Sequence, residues 1–508
     1  MNGQPLERPL GPPLGTSIAV FALLTAAVLR FVVAPILAGV PILGLIVAAL
    51  AWILPLGTVA VVLAWLLLNR TVSENGGAGR GMTVSTFSSD IQSVTWGLFL
   101  VQLFLSVCLP GGSVLGLNIK LISDGLFLAA FVVYVVANGS FFSHTEIICM
   151  AVVVASLCFW SLLGVFNGQA DAGQISSQLR QIASAIFVAW LSIFAIRRGQ
   201  ITPERLITVI IYGMFCVSAA KVTLVAASFF SNIDPIQIVR SVFGEESAVA
   251  YPILFGFVRL AFSADLVGAF ALFALLAPSV SGVRFGRMSK LFICIVVVLG
   301  SGLLTYSRAL WFIYVVSILV AMIVQRSWRT MAVTILAALV LVVSYYDVFN
   351  TVFEERFVTE AESSDAGRIE QARALMEEIK ARPILGKGMG AHFSTDTRSM
   401  TQKYSYELQW LAFLMQFGIV GLVGIVMLIV ASARDLVMAK HPAKPWMFLL
   451  FVLWVLESCF NPVITSSYAG ATFGLFMAMF YRMRNANLNG GWKVRVAVGP
   501  QELKREPA

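Results

Sequence analysis

The chain has 508 residues, of which 59% are hydrophobic and only 12% are charged. A soluble domain carries about 25% charged residues, so this composition excludes an ordinary soluble protein. Apolar runs of about 20 residues recur along the chain, which is the length of a membrane-spanning helix. The net charge of +9 does not indicate a nucleic-acid partner, because membrane proteins retain lysine and arginine on their cytoplasmic loops.

The order of apolar and polar segments predicts an all-α, polytopic membrane protein with about 14 transmembrane helices. Residues 1–15 form a polar, proline-rich lead, and residues 16–350 carry about eleven of the predicted spans. A polar segment over 351–405 separates these from three more spans in 406–482, and 483–508 form a basic tail. The predicted spans lie near 16–36, 41–69, 93–110, 113–137, 145–166, 181–197, 205–230, 256–277, 290–306, 309–325, 330–350, 406–433, 446–461 and 466–482.

The positive residues of the short loops predict the orientation. Threading the chain through these spans places both termini and four basic loops on one side, which we expect to be the cytoplasm. Residues 351–405 then form a large periplasmic loop. The basic residues concerned are Arg197, Arg198, Arg205, Arg284, Arg287, Lys290, Arg326, Arg329, Arg434, Lys440, Lys444, Arg482 and Arg484.

An amphipathic helix is predicted inside the large loop. Asp365 is a suitable N-cap for a helix beginning near Gly367, and Pro383 would end it. Ile369, Ala372, Leu375, Met376 and Ile379 follow helical spacing and would form an apolar stripe. This helix could lie over the membrane surface as a lid on a site, or it could be a surface helix packed on neighbouring loops.

Three glycines follow this helix at alternate positions, Gly386, Gly388 and Gly390. Such spacing lets backbone amides approach an anion closely. The loop has neither the spacing of a phosphate-binding P-loop nor a preceding strand. An ordinary turn is therefore the competing interpretation.

Three arginines are candidates for binding phosphate. Arg308 lies between two apolar spans at the predicted outer face, Arg368 opens the amphipathic helix, and Arg259 falls within a predicted span. Guanidinium groups make bidentate contacts with phosphate, and a cation inside the membrane indicates a functional site. A structural ion pair is the alternative for each of them.

Two residues are candidates for a general base. Glu407 lies at the predicted start of the span 406–433, where the helix dipole alone would also favour a carboxylate. His392 is the other, because histidine as a residue type is suited to proton transfer near neutral pH, although a solvated loop histidine would look the same. Only three histidines are scattered along the chain, so no metal site is predicted.

Several of these motifs, taken in order, resemble the O-antigen ligase and polymerase superfamily. They are Tyr306-Ser307-Arg308, Asp365-x-x-Arg368, the run from Arg382 to Gly390, Phe417-Gly-Ile-Val-Gly-Leu and Asn461-Pro462. The resemblance covers about residues 290–480. It implies a GT-C-like glycosyltransferase of the bacterial inner membrane whose site faces the periplasm.

The resemblance also implies the substrates and the chemistry. The donor would be an oligosaccharide on undecaprenyl diphosphate and the acceptor a second glycan, with a chain-length regulator and export machinery as further partners. Arg308, Arg368 and Arg259 would hold the diphosphate, and no cofactor is expected, since diphosphate is already a good leaving group. Tyr404, Tyr406 and Trp410, with Gly388 and Gly390, are the predicted substrate contacts; the aromatic residues could also be interfacial anchors.

The sequence departs from the ligases of this family at one place. Those enzymes usually carry a His-Asn pair before the helix that follows the long loop, and this chain has Tyr406-Glu407 there. The difference favours a polymerase of repeat units for exopolysaccharide, capsule or O-antigen. A ligase that transfers the glycan to lipid A core and a non-enzymatic flippase of lipid-linked oligosaccharides are the alternatives.

Overall fold

A computed structural model describes most of the chain from residue 84 to residue 486. The described residues are 84–109, 119–138, 142–168, 170–230, 234–243, 248–252, 258–262, 264–284, 287–344, 360–393, 402–466 and 468–486. The predicted lead, the spans at 16–36 and 41–69 and nearly all of the basic tail lie outside these residues.

Helices dominate the described residues. In chain order they are α1 Val84–Cys108, α2 Ile119–Asn138, α3 His144–Phe166, α4 Ala172–Arg197, α5 Pro203–Phe230, α6 Pro235–Phe243, α7 Asp265–Leu276, α8 Pro278–Ser281, α9 Met288–Leu303, α10 Arg308–Gln325, α11 Trp328–Ser344, α12 Glu360–Ala381, α13 Gln409–Ser432, α14 Arg434–Met438, α15 Lys444–Glu457 and α16 Ala469–Ala486. Six of them, α1, α3, α4, α5, α10 and α13, are long and apolar enough to cross a membrane. The all-α, polytopic architecture predicted from the sequence is thus confirmed in outline.

Helix α7 lies at the centre of the bundle. All twelve of its residues are buried, and it packs against α5, α9, α10 and α16. A helix that is apolar on every side can only be accommodated inside a protein or a membrane. By contrast, Gly164 is the only buried residue of α3, as expected of a helix that faces lipid.

The predicted span 256–277 is wrong. Its first part forms strand β2, Val258–Phe262, which pairs antiparallel with strand β1, Ala248–Pro252, and only α7 is helical. Phe262 donates its backbone N–H to the Asp265 carboxylate (2.7 Å), which ties the end of β2 to the start of α7. Twelve residues of helix reach only about 18 Å, so α7 cannot cross a bilayer by itself.

Helix α13 is broken at Gly418, where φ is 63° and ψ is −173°. The loop after α12 fills this break. Ile419 and Val420 donate their N–H groups to the carbonyls of Pro383 and Ile384. The carbonyls of Met415 and Gln416 accept from the loop in return. A broken helix at membrane depth requires such partners, because lipid supplies none.

Ion pairs hold one end of the bundle together. Asp435, on α14, accepts from Arg197 at 3.0 Å and from Arg484 at 2.6 Å, and Glu204 pairs with Arg482 at 3.1 Å. We call this the Asp435 end. It gathers basic residues that the sequence analysis had placed on one side of the membrane. The opposite end carries the start of α13 and is called the Glu407 end.

Candidate active site

Arg368 and Glu407 form an ion pair at the Glu407 end, with Nε and Oε2 3.0 Å apart. Both side chains are partly exposed, at 26% and 31%. Helix α13 begins only at Gln409, so the prediction that Glu407 lies in its first turn is wrong. The pair therefore joins helix α12 to the loop that enters α13.

A second carboxylate, Glu457, lies beside the same arginine. It ends α15 and is 4% exposed. The Asn461 amide donates to it at 2.6 Å, and Arg368 lies close enough to interact with it electrostatically. The guanidinium carbon of Arg368 is also 5.9 Å from the centre of the Phe460 ring. Sequence reasoning missed Glu457, although a lone glutamate at the end of an apolar span, just before Asn461-Pro462, was the available signal.

Arg259 and Arg308 belong to a second group at the same end. Arg259 lies on strand β2 and not, as predicted, in a membrane helix, and its Nε donates to the Thr305 carbonyl at 2.9 Å. Arg308 is the first residue of α10, where the helix dipole favours anions. Tyr306, between them, has a φ of 46°, a left-handed conformation that is uncommon outside glycine and occurs often at functional sites.

Two buried residues that the sequence analysis did not single out support the group of Arg259 and Arg308. Lys221 and Asp265 form an ion pair at 2.9 Å, with side chains that are 0% and 1% exposed. Asp265 also accepts from the Ser301 hydroxyl at 3.3 Å. Because Asp265 binds the end of β2 as well, the pair fixes the strand that carries Arg259.

The predicted lid helix begins earlier than expected. Helix α12 starts at Glu360, so Asp365 lies within it and is not its N-cap. It ends at Ala381, before Pro383, as predicted. Leu375 and Ile379 are buried in a small core with Tyr406, but Ile369 is 61% exposed, so the buried stripe is narrower than the predicted one. The helix is thus anchored on the loop and start of α13, with Arg368 at the edge of that contact.

The glycine loop uses its amides within the protein. Gly388 donates its N–H to the Gln416 carbonyl at 2.8 Å, and Gly390 donates to the Gln178 side chain at 2.6 Å. A Cβ on Gly388, whose φ is 98°, would lie 2.1 Å from the backbone nitrogen of Gly164. The loop is therefore a packed connection between α3 and α13, which agrees with the simpler interpretation of its glycines.

Buried amides hold this loop against the bundle. Gln178 donates to Gln416 at 2.7 Å, and Gln416 donates in turn to the carbonyls of Ala391 and Tyr404, both at 3.1 Å. Each of these amides would cost free energy if buried without partners. The network thus fixes the two ends of the segment that leads from the glycine loop to Glu407.

The three predicted aromatic contacts are engaged inside the protein. The Tyr404 hydroxyl lies 2.9 Å from Ser177 Oγ. Tyr406 accepts from the Phe393 N–H and stacks on its ring, and burial raises the pKa of Tyr406 to about 12. Trp410 donates to the Val455 carbonyl at 3.3 Å. These contacts give each aromatic residue a packing role, and their contact with sugar stays a prediction.

The other predicted base, His392, lies between the glycine loop and Tyr406. Its Nδ1 is 3.2 Å from the Gly390 carbonyl oxygen, and its side chain is half-buried.

The glycine loop also carries Lys387. This residue pairs with Glu378, and burial lowers the pKa of Lys387. Across the described residues, no three or more histidine, cysteine, aspartate or glutamate side chains are grouped so that they could hold a metal ion.

Comparison with known proteins identifies the segment that carries most of this site. Residues 291–426 match the family model described as O-antigen ligase. The resemblance predicted from the sequence is confirmed. Members of this family are glycosyltransferase-like enzymes, and with six helices able to span a bilayer the protein is an integral membrane protein. No curated protein and no solved structure gives a significant match.

The matched segment, residues 291–426, contains most of the predicted site residues. Arg308, Arg368, His392 and Glu407 all fall within it. Arg259 and Glu457 lie outside the matched residues, and it is the fold that brings them to the same end of the bundle.

Proposed function

We propose that this protein is a polymerase of undecaprenyl-diphosphate-linked oligosaccharide repeat units for exopolysaccharide, capsule or O-antigen. It would transfer the glycan at the periplasmic face of the inner membrane, with both termini in the cytoplasm. The observation that carries the proposal is Arg368 beside two carboxylates, Glu407 and Glu457, at the end where α10 begins with Arg308. Cations suited to a diphosphate and groups able to take a proton thus lie at the same end of the bundle.

In this proposal the arginines bind and stabilise the leaving group. Arg308, Arg259 and Arg368 surround the donor diphosphate and neutralise the charge that develops on it. A guanidinium carries five N–H donors, so Arg368 can bridge Glu407 to the phosphate oxygens. Loss of this charge stabilisation would slow departure of the diphosphate.

The reaction is a single displacement with inversion. A hydroxyl oxygen of the acceptor glycan forms a bond to the anomeric carbon, and the bond from that carbon to the diphosphate breaks on the opposite face. The diphosphate leaves with the bonding electrons, and the hydroxyl proton passes to a carboxylate. Glu407 is the first candidate for that carboxylate, and Glu457 is the second, because Asn461 orients it beside the same arginine.

Glutamine substitutions separate the two carboxylates. Removing a general base typically lowers the rate by about 10²–10⁴-fold, so Glu407→Gln should reduce the initial rate of chain extension on that scale while donor binding persists. Glu370→Gln is the matched control, since Glu370 is exposed on α12 and we expect near wild-type rates. If Glu407→Gln stays within a few-fold of the control, Glu407 is not the base, and Glu457→Gln and a His392 substitution are tested next.

The product distinguishes polymerase from the alternatives. Purified protein is given the lipid-linked oligosaccharide in detergent, with and without lipid A core. Longer lipid-linked glycans support the polymerase. Transfer to lipid A core would show a ligase, and the absence of any new glycosidic bond would favour a flippase and overturn the proposal.

A further inference from the structure

A cavity lies beside the candidate active site. It has a volume of about 680 Å³, is partly open to the surface, and is lined by residues of α1, α2, α3, α4, α13 and α16 and of the turn before α16. Its wall is mainly aliphatic and aromatic, with Leu128, Leu157, Ile186 and Phe413 as examples. Arg308, Arg368 and Glu407 do not line it, so it is a separate compartment from the arginine site.

The cavity extends along helix α4. It follows α4 from Arg180 to Arg197, both of which line it, and this stretch of helix is about 25 Å long. That is most of the roughly 30 Å hydrocarbon thickness of a bilayer. A hydrocarbon chain lying along α4 in this cavity would therefore contact apolar side chains over most of that thickness.

Polar groups lie at the Glu407 end of this cavity. Gln102, Asp124 and Arg180 line it there, and Gln102 donates to Asp124 at 2.9 Å. Lys120 is buried and does not line the cavity, but it interacts electrostatically with both Asp124 and Arg180. Two cations against one carboxylate leave a net positive charge at the mouth of an apolar channel, which suits a lipid with an anionic head.

The mouth of the cavity adjoins the candidate active site. Thr465 lines the cavity and accepts a hydrogen bond from the Gln409 side chain at 2.6 Å. Gln409 follows Glu407 by two residues, and its backbone N–H donates to the Ser458 carbonyl, next to Glu457. A glycan carried on a lipid head at this mouth would therefore extend towards the two carboxylates.

We propose that this cavity binds the isoprenoid chain of a second polyprenyl-diphosphate-linked substrate, the acceptor, with its phosphate groups at Arg180. The inference rests on the proposed function for the identity of the lipid, because a polymerase joins two lipid-linked glycans. The donor occupies the arginine site and the acceptor this channel. The apolar wall suits an isoprenoid chain, and the positive charge at the mouth suits its diphosphate.

Counting bound lipids tests the inference without catalysis. Full-length protein in detergent is mixed with undecaprenyl diphosphate, and native mass spectrometry reports the number of lipids on each protein. Wild type should bind two. Ala189→Trp fills the channel, since Ala189 lines it, and Arg180→Gln removes a head contact; each should weaken binding of one lipid at least tenfold. Ala332→Trp, on the exposed face of α11, and Arg205→Gln, exposed near the start of α5, should still bind two.

Competition experiments distinguish an isoprenoid diphosphate from free phosphate and from a phospholipid as the ligand of this cavity. Neither inorganic phosphate nor phosphatidylglycerol at equal concentration should displace the second lipid. The inference would be overturned if either competitor displaced the second lipid. It would also be overturned if Ala189→Trp and Arg180→Gln both still bound two lipids. The two proposals can fail separately. If the wild type binds two lipids and each variant binds one, the site is established. If the polymerase assay then shows no chain extension, the proposed function alone fails.

Discussion

The buried ion pair of Lys221 and Asp265 leads to a prediction about stability. Lys221→Met removes the ammonium group and leaves a carboxylate in the centre of the bundle, where the Phe262 N–H and the Ser301 hydroxyl are the described donors that still reach it. Asp265→Asn leaves the opposite problem, a buried ammonium group facing a neutral amide. Both side chains are at most 1% exposed, so water cannot replace the missing partner.

The expected size of the effect follows from this burial. Removing one partner of a buried pair destabilises a protein by about 3–5 kcal/mol, whereas replacing both charges is often close to neutral. In the double variant Lys221→Met/Asp265→Asn, the new amide can still accept from the Phe262 N–H. Its unsatisfied N–H groups would cost about 1–3 kcal/mol, so we expect the double variant to be more stable than either single one.

Thermal unfolding in detergent, followed by tryptophan fluorescence, is the measurement. Each single variant should unfold roughly 5–15 °C below wild type, and the double variant should recover part of that loss. Lys290→Met, at an exposed lysine near the start of α9, is the control and should stay within about 0.5 kcal/mol. Single variants as stable as this control, or a double variant that loses the sum of both, would refute the reasoning.

Three further predictions concern the loop, the arginines and the orientation. Gly388→Ala should prevent correct folding, because its Cβ would meet the backbone of α3. The control Gly424→Ala should be tolerated, because the space around Gly424 is open. Equal yields of folded protein from the two variants would contradict the prediction. Arg308→Lys keeps the charge but loses the planar fork, so chain extension should fall about 10–100-fold; a wild-type rate would mean that charge alone matters. Single cysteines at Ser394 and Asn489 should be labelled from opposite sides of the membrane, and labelling from the same side would exclude a periplasmic site.

Much of the architecture could be predicted from the chain's own pattern. Uninterrupted apolar runs, such as 145–166, indicate membrane helices because the hydrocarbon core of a bilayer requires them, and α3 follows that run within a residue. The end of α12 before Pro383 was also predicted, since the residue before a proline disfavours helix. These signals are local, and local signals can be read directly from a sequence.

The failures occurred where tertiary contacts override local pattern. The run 256–277 is as apolar as a membrane helix, but its first part forms a strand that is held by Asp265 and by the carbonyls of the turn before α10. Gly418 breaks α13 because a loop that lies 28 to 36 residues earlier in the chain supplies the hydrogen bonds that the helix gives up. Neither partner can be identified from the residues on either side.

The sequence by itself determined the class of this protein, the approximate extent of its helices and the arginines and glutamate proposed for its site, because hydrophobic length and residue chemistry are properties of short segments. Only the tertiary structure decided which charges meet. It joined Arg368 to Glu407 across 39 residues, brought Glu457 to the same arginine, and buried Lys221 against Asp265. The physical reason is that a charge removed from water needs a partner. That partner is found through space, so distance along the chain does not constrain the choice.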